Sequence, residues 1–219
     1  AESWTVSEDG RSLQFTLRSG LVWHDGEPIT TADVAFTYGL LQQDALPAAD
    51  AVKALWQTVT INAIDERTIE FVLAEPYAPF LEATMRGILP AHLLQEVPVA
   101  ELASHSFNQQ PVGSGPWRVA PGQDWTASRS LRLTPNPMYW RGGTQIPALD
   151  FRFYPDEESL LTAFANGDIQ AVNSVSDEML PAMTAVPHAR LFTTVDRQYT
   201  QIIFNQSDTG FVPLRQAEV

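Results

Sequence analysis

Residues 3–41, SWTVSEDGRSLQFTLRSGLVWHDGEPITTADVAFTYGLL, hold in one stretch the patterns that decide the fold class. Apolar and polar residues alternate over 4–6 and again over 13–17, on either side of a turn at 8–10. A period of two over this length predicts two half-buried strands, which the turn joins into a hairpin. The stretch therefore begins as β structure.

The second half of this stretch changes to a helical pattern after a loop at 23–28. Thr30 or Thr31 can cap the helix, and Asp33 lies in its first turn, where the helix dipole favours an acidic side chain. Apolar residues occur on two sides of this helix, which predicts that it packs between two layers of structure.

The rest of the chain continues with short elements of both kinds. The last third has the order strand, helix, strand over 149–153, 156–167 and 169–172, and such a unit forms a right-handed crossover between parallel strands. Hairpins and a crossover unit together predict an α/β or mixed α+β architecture. The other predicted elements are helices near 50–56, 76–85, 91–96 and 179–185, and strands near 59–64, 68–73, 117–120, 128–134, 190–195 and 199–205.

Composition limits the classes of partner. The chain has 219 residues, of which 44% are hydrophobic, and this is enough to form a real core. Its formal net charge is −13 and no block of Lys or Arg occurs, which argues against nucleic acid and against an anionic membrane surface as partners. It has no cysteine, so disulfides and thiolate metal sites are excluded. No apolar run reaches the roughly 18 residues that a membrane-spanning helix needs.

The histidines give no sign of a catalytic or metal site. His24 and Asp25 are adjacent, so their side chains point apart and cannot pair as a catalytic dyad does. No two histidines are four residues apart, and no His-Glu-x-x-His motif occurs, among His24, His92, His105 and His188. We therefore predict a structural turn at 23–26, no catalytic residue, no metal ligand and no cofactor.

Two further polar segments also have a structural interpretation. The loop 113–116 is not followed by Lys and Ser or Thr, and Pro116 has no N–H to offer an anion, so we predict a tight crossover between subdomains. Asp156 can cap a helix with Glu157 and Glu158 in its first turn, which accounts for all three acids without acid–base chemistry.

Four residues are candidate ligand-binding residues. Arg86 follows an apolar helical stretch and precedes an Ile-Leu-Pro run, so its guanidinium needs a partner or water. That partner is either a ligand carboxylate, bound through both guanidinium nitrogens, or an acidic side chain in an ordinary structural salt bridge. Tyr199, Gln201 and Asn205 fall on alternating positions of a predicted strand, which lines a cleft or faces solvent.

Six segments spread over nearly the whole chain carry a family resemblance. They are SEDG, FTLR, WHDGEPIT and ADV over 7–34 as the first, then ILPAHLL (88–94), PVGSGPW (111–117), NP with YW (136–140), FANGDI (164–169), and FN (204–205) with LRQA (214–217). No single segment is specific. In this order and at this spacing, they resemble the extracellular solute-binding proteins of the dipeptide, oligopeptide and nickel type, which serve ABC importers.

The resemblance implies a fold and a domain organisation. The fold is a lobe like that of a type II periplasmic binding protein, with a mixed sheet and flanking helices. Members of the family are longer and close two lobes around the ligand, so residues 1–219 are expected to be one incomplete lobe. Within it we expect an inserted subdomain, 19–112, and a hinge-proximal subdomain made of 1–18 and 113–219.

The resemblance also implies a function, the substrate-binding component of an ABC importer and not an enzyme. Such a protein captures a short peptide or a similar small polar solute outside the cytoplasmic membrane, in the periplasm or on a lipid anchor. Its partners are that ligand and the permease subunits, and a chelated metal or an oligosaccharide is a further ligand class.

Two alternatives stay open. One is a secreted glycan-acting hydrolase, which would place two carboxylates across a pocket. The other is a non-transport interaction or chemoreception module, which would expose a large apolar patch.

Overall fold

The computed structural model describes residues 1–187 and 189–193. The chain forms two compact units, of which the first comprises Ala1–Phe153 and the second begins at Tyr154. Most of the buried core belongs to the first unit, while the second is built around Ala163 and Met183.

The first unit contains a four-stranded antiparallel sheet. Its strands are β1 (Ser3–Val6), β2 (Ser12–Thr16), β3 (Val59–Ala63) and β4 (Thr68–Leu73). They lie in the spatial order β1-β2-β4-β3. The predicted hairpin is confirmed, because β1 pairs with β2 in a register that places Trp4 opposite Phe15. In β4, Ile69, Phe71 and Leu73 are buried at alternate positions, as a half-buried strand requires.

Two helices, α1 (Thr31–Leu40) and α2 (Asp50–Gln57), pack with this sheet. Tyr38 of α1 stacks on Trp56 of α2 with ring centroids 4.4 Å apart, and Phe71 meets both rings edge-on. Each of these side chains is at most 2% exposed. Burial of such a side chain contributes roughly 1.5–3 kcal/mol, so this aromatic cluster fixes α1 firmly in place.

The predicted start of α1 is also confirmed. Thr30 caps the helix, and its side-chain oxygen accepts the N–H of Ala32. In return, the carboxylate of Asp33 accepts the N–H of Thr30 at 2.9 Å, which completes a capping box.

Short elements complete the first unit: α3 (Phe80–Ala83), α4 (Ala91–Leu94), two 3₁₀ turns (Val99–Ser104 and Ser106–Asn108), β5 (Trp117–Val119), α5 (Trp125–Ser128), β6 (Ser130–Pro135) and β7 (Leu149–Arg152). The last three strands form a second antiparallel sheet in the order β5-β6-β7. The helix predicted over 76–85 is much shorter, because Pro76 and Pro79 cannot donate the backbone hydrogen bonds of a helix interior. The single turn α5 is too short to give a periodic pattern and was not predicted.

The second unit contains α6 (Glu157–Ala165) and α7 (Leu180–Thr184). Asp156 caps α6 as predicted, since its carboxylate accepts the N–H of Ser159 at 2.7 Å. The predicted strand 169–172 is wrong. These residues are irregular, because none of the described residues supplies a strand for them to pair with. Residues 190–193 are irregular as well, and the predicted strand 199–205 lies outside the described residues.

A mixed α and β architecture is thus confirmed, with helices flanking two sheets. Every pairing between described strands is antiparallel, so the expected parallel crossover is not found among them. The predicted subdomains, 19–112 and 1–18 with 113–219, stay a prediction. One sheet joins the two predicted subdomains, because β1 and β2 belong to 1–18 while β3 and β4 belong to 19–112.

Candidate ligand-binding site

Arg86 lies in a segment, residues 84–91, that α1 holds in place through side-chain hydrogen bonds. Tyr38 Oη donates to the carbonyl of Thr84, the N–H of Leu89 donates to Thr37 Oγ1 at 2.8 Å, and the N–H of Ala91 donates to Asp33 Oδ1 at 2.8 Å. The segment is therefore fixed at three successive points, two of them C-terminal to Arg86 and one N-terminal to it.

Asp33 serves both the helix and this segment. Its carboxylate is buried and accepts two backbone N–H groups, one from Thr30 and one from Ala91. Hydrogen bonds to a charged group contribute about 1.5–3 kcal/mol each, so the buried charge is well compensated. The sequence identified Asp33 only as a helix-capping residue.

Tyr38 keeps its role as a donor over the whole physiological pH range. Burial raises the pKa of its hydroxyl above the ordinary value, and the neighbouring Arg86 offsets part of this effect. The hydroxyl therefore stays protonated and donates to Thr84.

The side chain of Arg86, unlike the backbone of its segment, is not held by hydrogen bonds to the described residues. Met85, Arg86 and Gly87 are all exposed, and Met85 reaches 81% exposure. Among the described residues, no hydrogen bond, ion pair or aromatic contact involves the Arg86 guanidinium. The structural salt bridge that competed with a ligand-binding role is thus not found in this part of the chain.

A cavity of about 580 Å³ opens beside Arg86. Its wall is mostly apolar: Thr37, Leu40, Leu41, Leu46, Pro47, Arg86, Gly87, Leu89, Leu94, Val99, Leu102, Ala103, Phe107 and Asn108. The volume is within the range of about 300–1,000 Å³ that small-molecule sites occupy. The structure therefore brings together a cation on a fixed backbone segment and an apolar recess, a combination that the sequence pattern did not predict.

A second exposed connection, the loop Trp23–Pro28, differs from this segment, and we call it the clasp loop. His24 Nδ1 accepts the N–H of Gly113 at 3.1 Å. The proton of the neutral ring is therefore on Nε2, which donates to the carbonyl of Gly115 at 3.1 Å. The predicted structural role of this turn is confirmed, since the His24 ring bonds only to backbone groups among the described residues.

The loop 113–116 is shaped to receive His24. A Cβ atom placed on Gly113 would lie 3.3 Å from Cε1 of the His24 ring, so glycine permits the close approach. The carbonyl of Gly115 also accepts from Nδ2 of the fully buried Asn136 at 2.9 Å. A carbonyl oxygen has two lone pairs, and both are used here.

Asp25 pairs with His92 at 2.8 Å, not with its neighbour His24. Burial alone would raise the pKa of the Asp25 carboxyl, but hydrogen bonds from His92 and from the N–H of Glu27 outweigh it and lower that pKa. The sequence missed this pair, because its members are 67 residues apart and no local pattern connects the two segments that contain them.

Neither a metal cluster nor a spanning helix is found in the part of the chain that the structure describes. No group of three or more His, Cys, Asp or Glu side chains there is placed to hold a metal ion. No helix there is long and apolar enough to cross a membrane. The other three candidate residues, Tyr199, Gln201 and Asn205, lie outside the described residues.

Comparison with known proteins places the chain among solute-binding proteins. The family model of the bacterial extracellular solute-binding proteins, family 5 Middle, matches residues 1–219. The chain belongs to this family, which consists of solute-binding proteins and not of enzymes.

Two curated relatives agree with this assignment. One relative, from Brucella ovis, is provisionally named an ABC transporter peptide-binding protein. It is 31% identical to this chain over 172 residues, which cover 78% of this chain and 32% of the relative. The oligopeptide-binding protein AppA of Bacillus subtilis is 25% identical over 215 residues, which cover 96% of this chain and 38% of AppA. The chain thus spans roughly a third of the length of these relatives.

A solved structure shows the same fold. NikZ of Campylobacter jejuni, determined in complex with Ni(L-His), matches with a TM-score of 0.73 at 23% identity, over 85% of this chain and 36% of NikZ. The expected fold, that of a type II periplasmic binding protein with flanking helices, is therefore confirmed.

Proposed function

We propose that the chain is part of the substrate-binding component of an ABC importer. It captures a short peptide or a similar small polar solute outside the cytoplasmic membrane, in the periplasm or on a lipid anchor, and delivers it to the permease subunits. The observation that carries the proposal is the Arg86 guanidinium, exposed on a fixed backbone and unpaired among the described residues.

The chemistry of the relatives' ligands supports this assignment. Two relatives are named as peptide-binding proteins, and the structure of NikZ was determined with a nickel–histidine complex. Peptides and histidine both carry a carboxylate, which an arginine can bind through two parallel hydrogen bonds. The Arg86 guanidinium would attract such a group locally, in a chain whose net charge of −13 otherwise repels it.

The mechanism that we propose involves no covalent step. Ligand binding shifts an equilibrium between open and closed arrangements of two lobes, because the ligand makes more contacts in the closed one. Arg86 would supply part of that difference in contacts. Tyr199, Gln201 and Asn205 remain proposed ligand-binding residues of the same protein.

The alternative function, a secreted glycan-acting hydrolase, has less support. Neither the cavity beside Arg86 nor a second cavity, of about 940 Å³ in the second unit, has two carboxylates in its described wall. The wall of the second cavity includes Thr193, where the described residues end, so we assign it no role. We therefore propose that the protein is not an enzyme.

Replacement of Arg86 tests the proposal. In the protein at its natural full length, Arg86→Gln should weaken binding of a tripeptide at least about tenfold, the equivalent of one charge-assisted hydrogen bond. Isothermal titration calorimetry measures this loss. Arg11→Gln, at an exposed position in the turn between β1 and β2, is the matched control and should change the affinity less than about twofold.

Two results would contradict the assignment. Equal loss of affinity in both variants would mean that overall charge matters and that Arg86 has no particular role. Absence of saturable binding to any peptide, metal chelate or sugar would count against the transport function itself.

A further inference from the structure

We infer that the cavity beside Arg86 receives a bulky apolar group of the ligand, so that the preferred solute carries a carboxylate next to an apolar side chain. The inference rests on the proposed function, and it adds a ligand class to it.

The shape of the cavity suits an inserted group. Its floor is formed by buried residues, among them Leu40, Leu41 and Leu94. Its rim is formed by exposed residues, among them Arg86 and Ala103. An apolar group that enters from the rim would lose its contact with water, while a carboxylate attached to it would stay at the mouth beside the guanidinium.

Apart from Arg86 at the rim, the polar side chains in the wall, Thr37 and Asn108, already make hydrogen bonds, so the interior has little to offer a polar group. Thr37 Oγ1 donates to the carbonyl of Asp33 and accepts the N–H of Leu89. The amide nitrogen of Asn108 donates to nearby backbone carbonyls, among them that of Leu102 at 2.7 Å. A polar ligand group in this recess would give up hydrogen bonds to water without replacing them, which costs about 1–3 kcal/mol per group.

The two halves of the site reinforce each other. An apolar group that fills the recess excludes water from the neighbourhood of Arg86, and a lower local dielectric strengthens the attraction between guanidinium and carboxylate. The site should therefore prefer ligands that have both features over ligands that have only one.

The proposal can be tested with three peptides, Ala-Ala-Phe, Ala-Ala-Ala and Ala-Ala-Phe amide, by calorimetry on the protein at its natural full length. Ala-Ala-Phe should bind at least about tenfold more tightly than either of the others, because one of them lacks the apolar group and the other lacks the carboxylate.

A variant that fills the cavity locates the effect. Ala103→Trp should bring the affinity for Ala-Ala-Phe close to that for Ala-Ala-Ala and leave the latter within about twofold. The matched control is Ala100→Trp, since Ala100 is exposed on the same 3₁₀ turn but does not line the cavity. The milder Ala103→Leu should shift affinity in the same direction, which keeps the test decisive if the tryptophan variant does not fold.

The outcomes separate the two proposals. Equal affinity for Ala-Ala-Phe and Ala-Ala-Ala, or equal effects of Ala103→Trp and Ala100→Trp, would overturn the inference and leave peptide capture standing. No saturable binding of any of the three peptides would overturn both.

Discussion

The clasp loop, Trp23–Pro28, and the tip of the Arg86 segment, Met85–Gly87, are both exposed connections of the first unit, and they use their charged groups in opposite ways. In the clasp loop, His24 bonds to two backbone groups and Asp25 pairs with His92. In the tip, the backbone is anchored on both sides by α1, while the guanidinium of Arg86 has no partner among the described residues. The difference separates a loop built for stability from one that presents a charge.

The largest effect on stability should come from replacement of Trp23, the buried side chain that anchors the clasp loop. It is 2% exposed, and Trp23→Ala should lower the free energy of unfolding by about 3–5 kcal/mol through the cavity that it leaves. Urea unfolding followed by circular dichroism measures this. Trp23→Phe is the informative partner, because the indole N–H has no acceptor among the described residues and its removal leaves no group unsatisfied. A loss below about 1 kcal/mol for Trp23→Ala would mean that the loop is not an anchor.

Glycine substitutions compare the two regions directly. Gly113→Ala places a methyl group 3.3 Å from the His24 ring and should cost about 1–3 kcal/mol, as overpacking typically does. Gly87→Ala, in the tip, meets nothing within 4 Å and should change the stability by less than about 0.5 kcal/mol. Both are measured by urea unfolding. Equal costs at the two sites would remove the distinction between a packed loop and an open tip.

Replacement of Asp25 should have a smaller effect on stability, and this effect should depend on pH. The pKa of its carboxyl is lowered in the folded protein, so its contribution is present above the unfolded-state pKa and is lost as the pH falls through the folded-state pKa. Asp25→Asn should therefore cost at most about 1 kcal/mol at pH 7, because the pair is partly exposed. The difference from the native protein should shrink progressively as the pH falls below the ordinary aspartate pKa of 3.8. A cost that stays the same through full acid titration of the carboxyl would show that charge is not involved.

These two regions also show what the sequence can predict. The hairpin and the start of α1 at a threonine cap, which the sequence left open between Thr30 and Thr31, depend on neighbours a few residues away, and both were predicted correctly. The hydrogen bond from Leu89 to Thr37, which supports the Arg86 segment, and the pairing of Asp25 with His92 join residues 52 and 67 positions apart. A single sequence contains no signal for such contacts, because any polar residue could satisfy the local pattern.

The wrong prediction at 169–172 has the same cause. Its apolar residues suit a strand, but a strand also needs a partner, and local pattern does not say whether a partner is present. Conversely, the sequence singled out Arg86 as a candidate ligand-binding residue because an arginine among apolar residues is locally unusual, and that role stays a prediction. Its surroundings, an apolar cavity walled by residues 37–108, became visible only when the fold brought them together.

The smallest effect on stability should come from Arg86 itself, and this is the sharpest form of the comparison. Since its guanidinium makes no hydrogen bond or ion pair among the described residues, Arg86→Gln should change the free energy of unfolding by less than about 0.5 kcal/mol, while it weakens ligand binding at least about tenfold. Urea unfolding without ligand measures the first quantity. Replacement of a residue that supports the structure should lower stability and ligand affinity together. Any loss of binding in Gly113→Ala or Trp23→Ala should therefore come with a loss of stability. A stability loss above about 1 kcal/mol for Arg86→Gln would place it with the clasp loop and would argue against a role in presenting charge to a ligand.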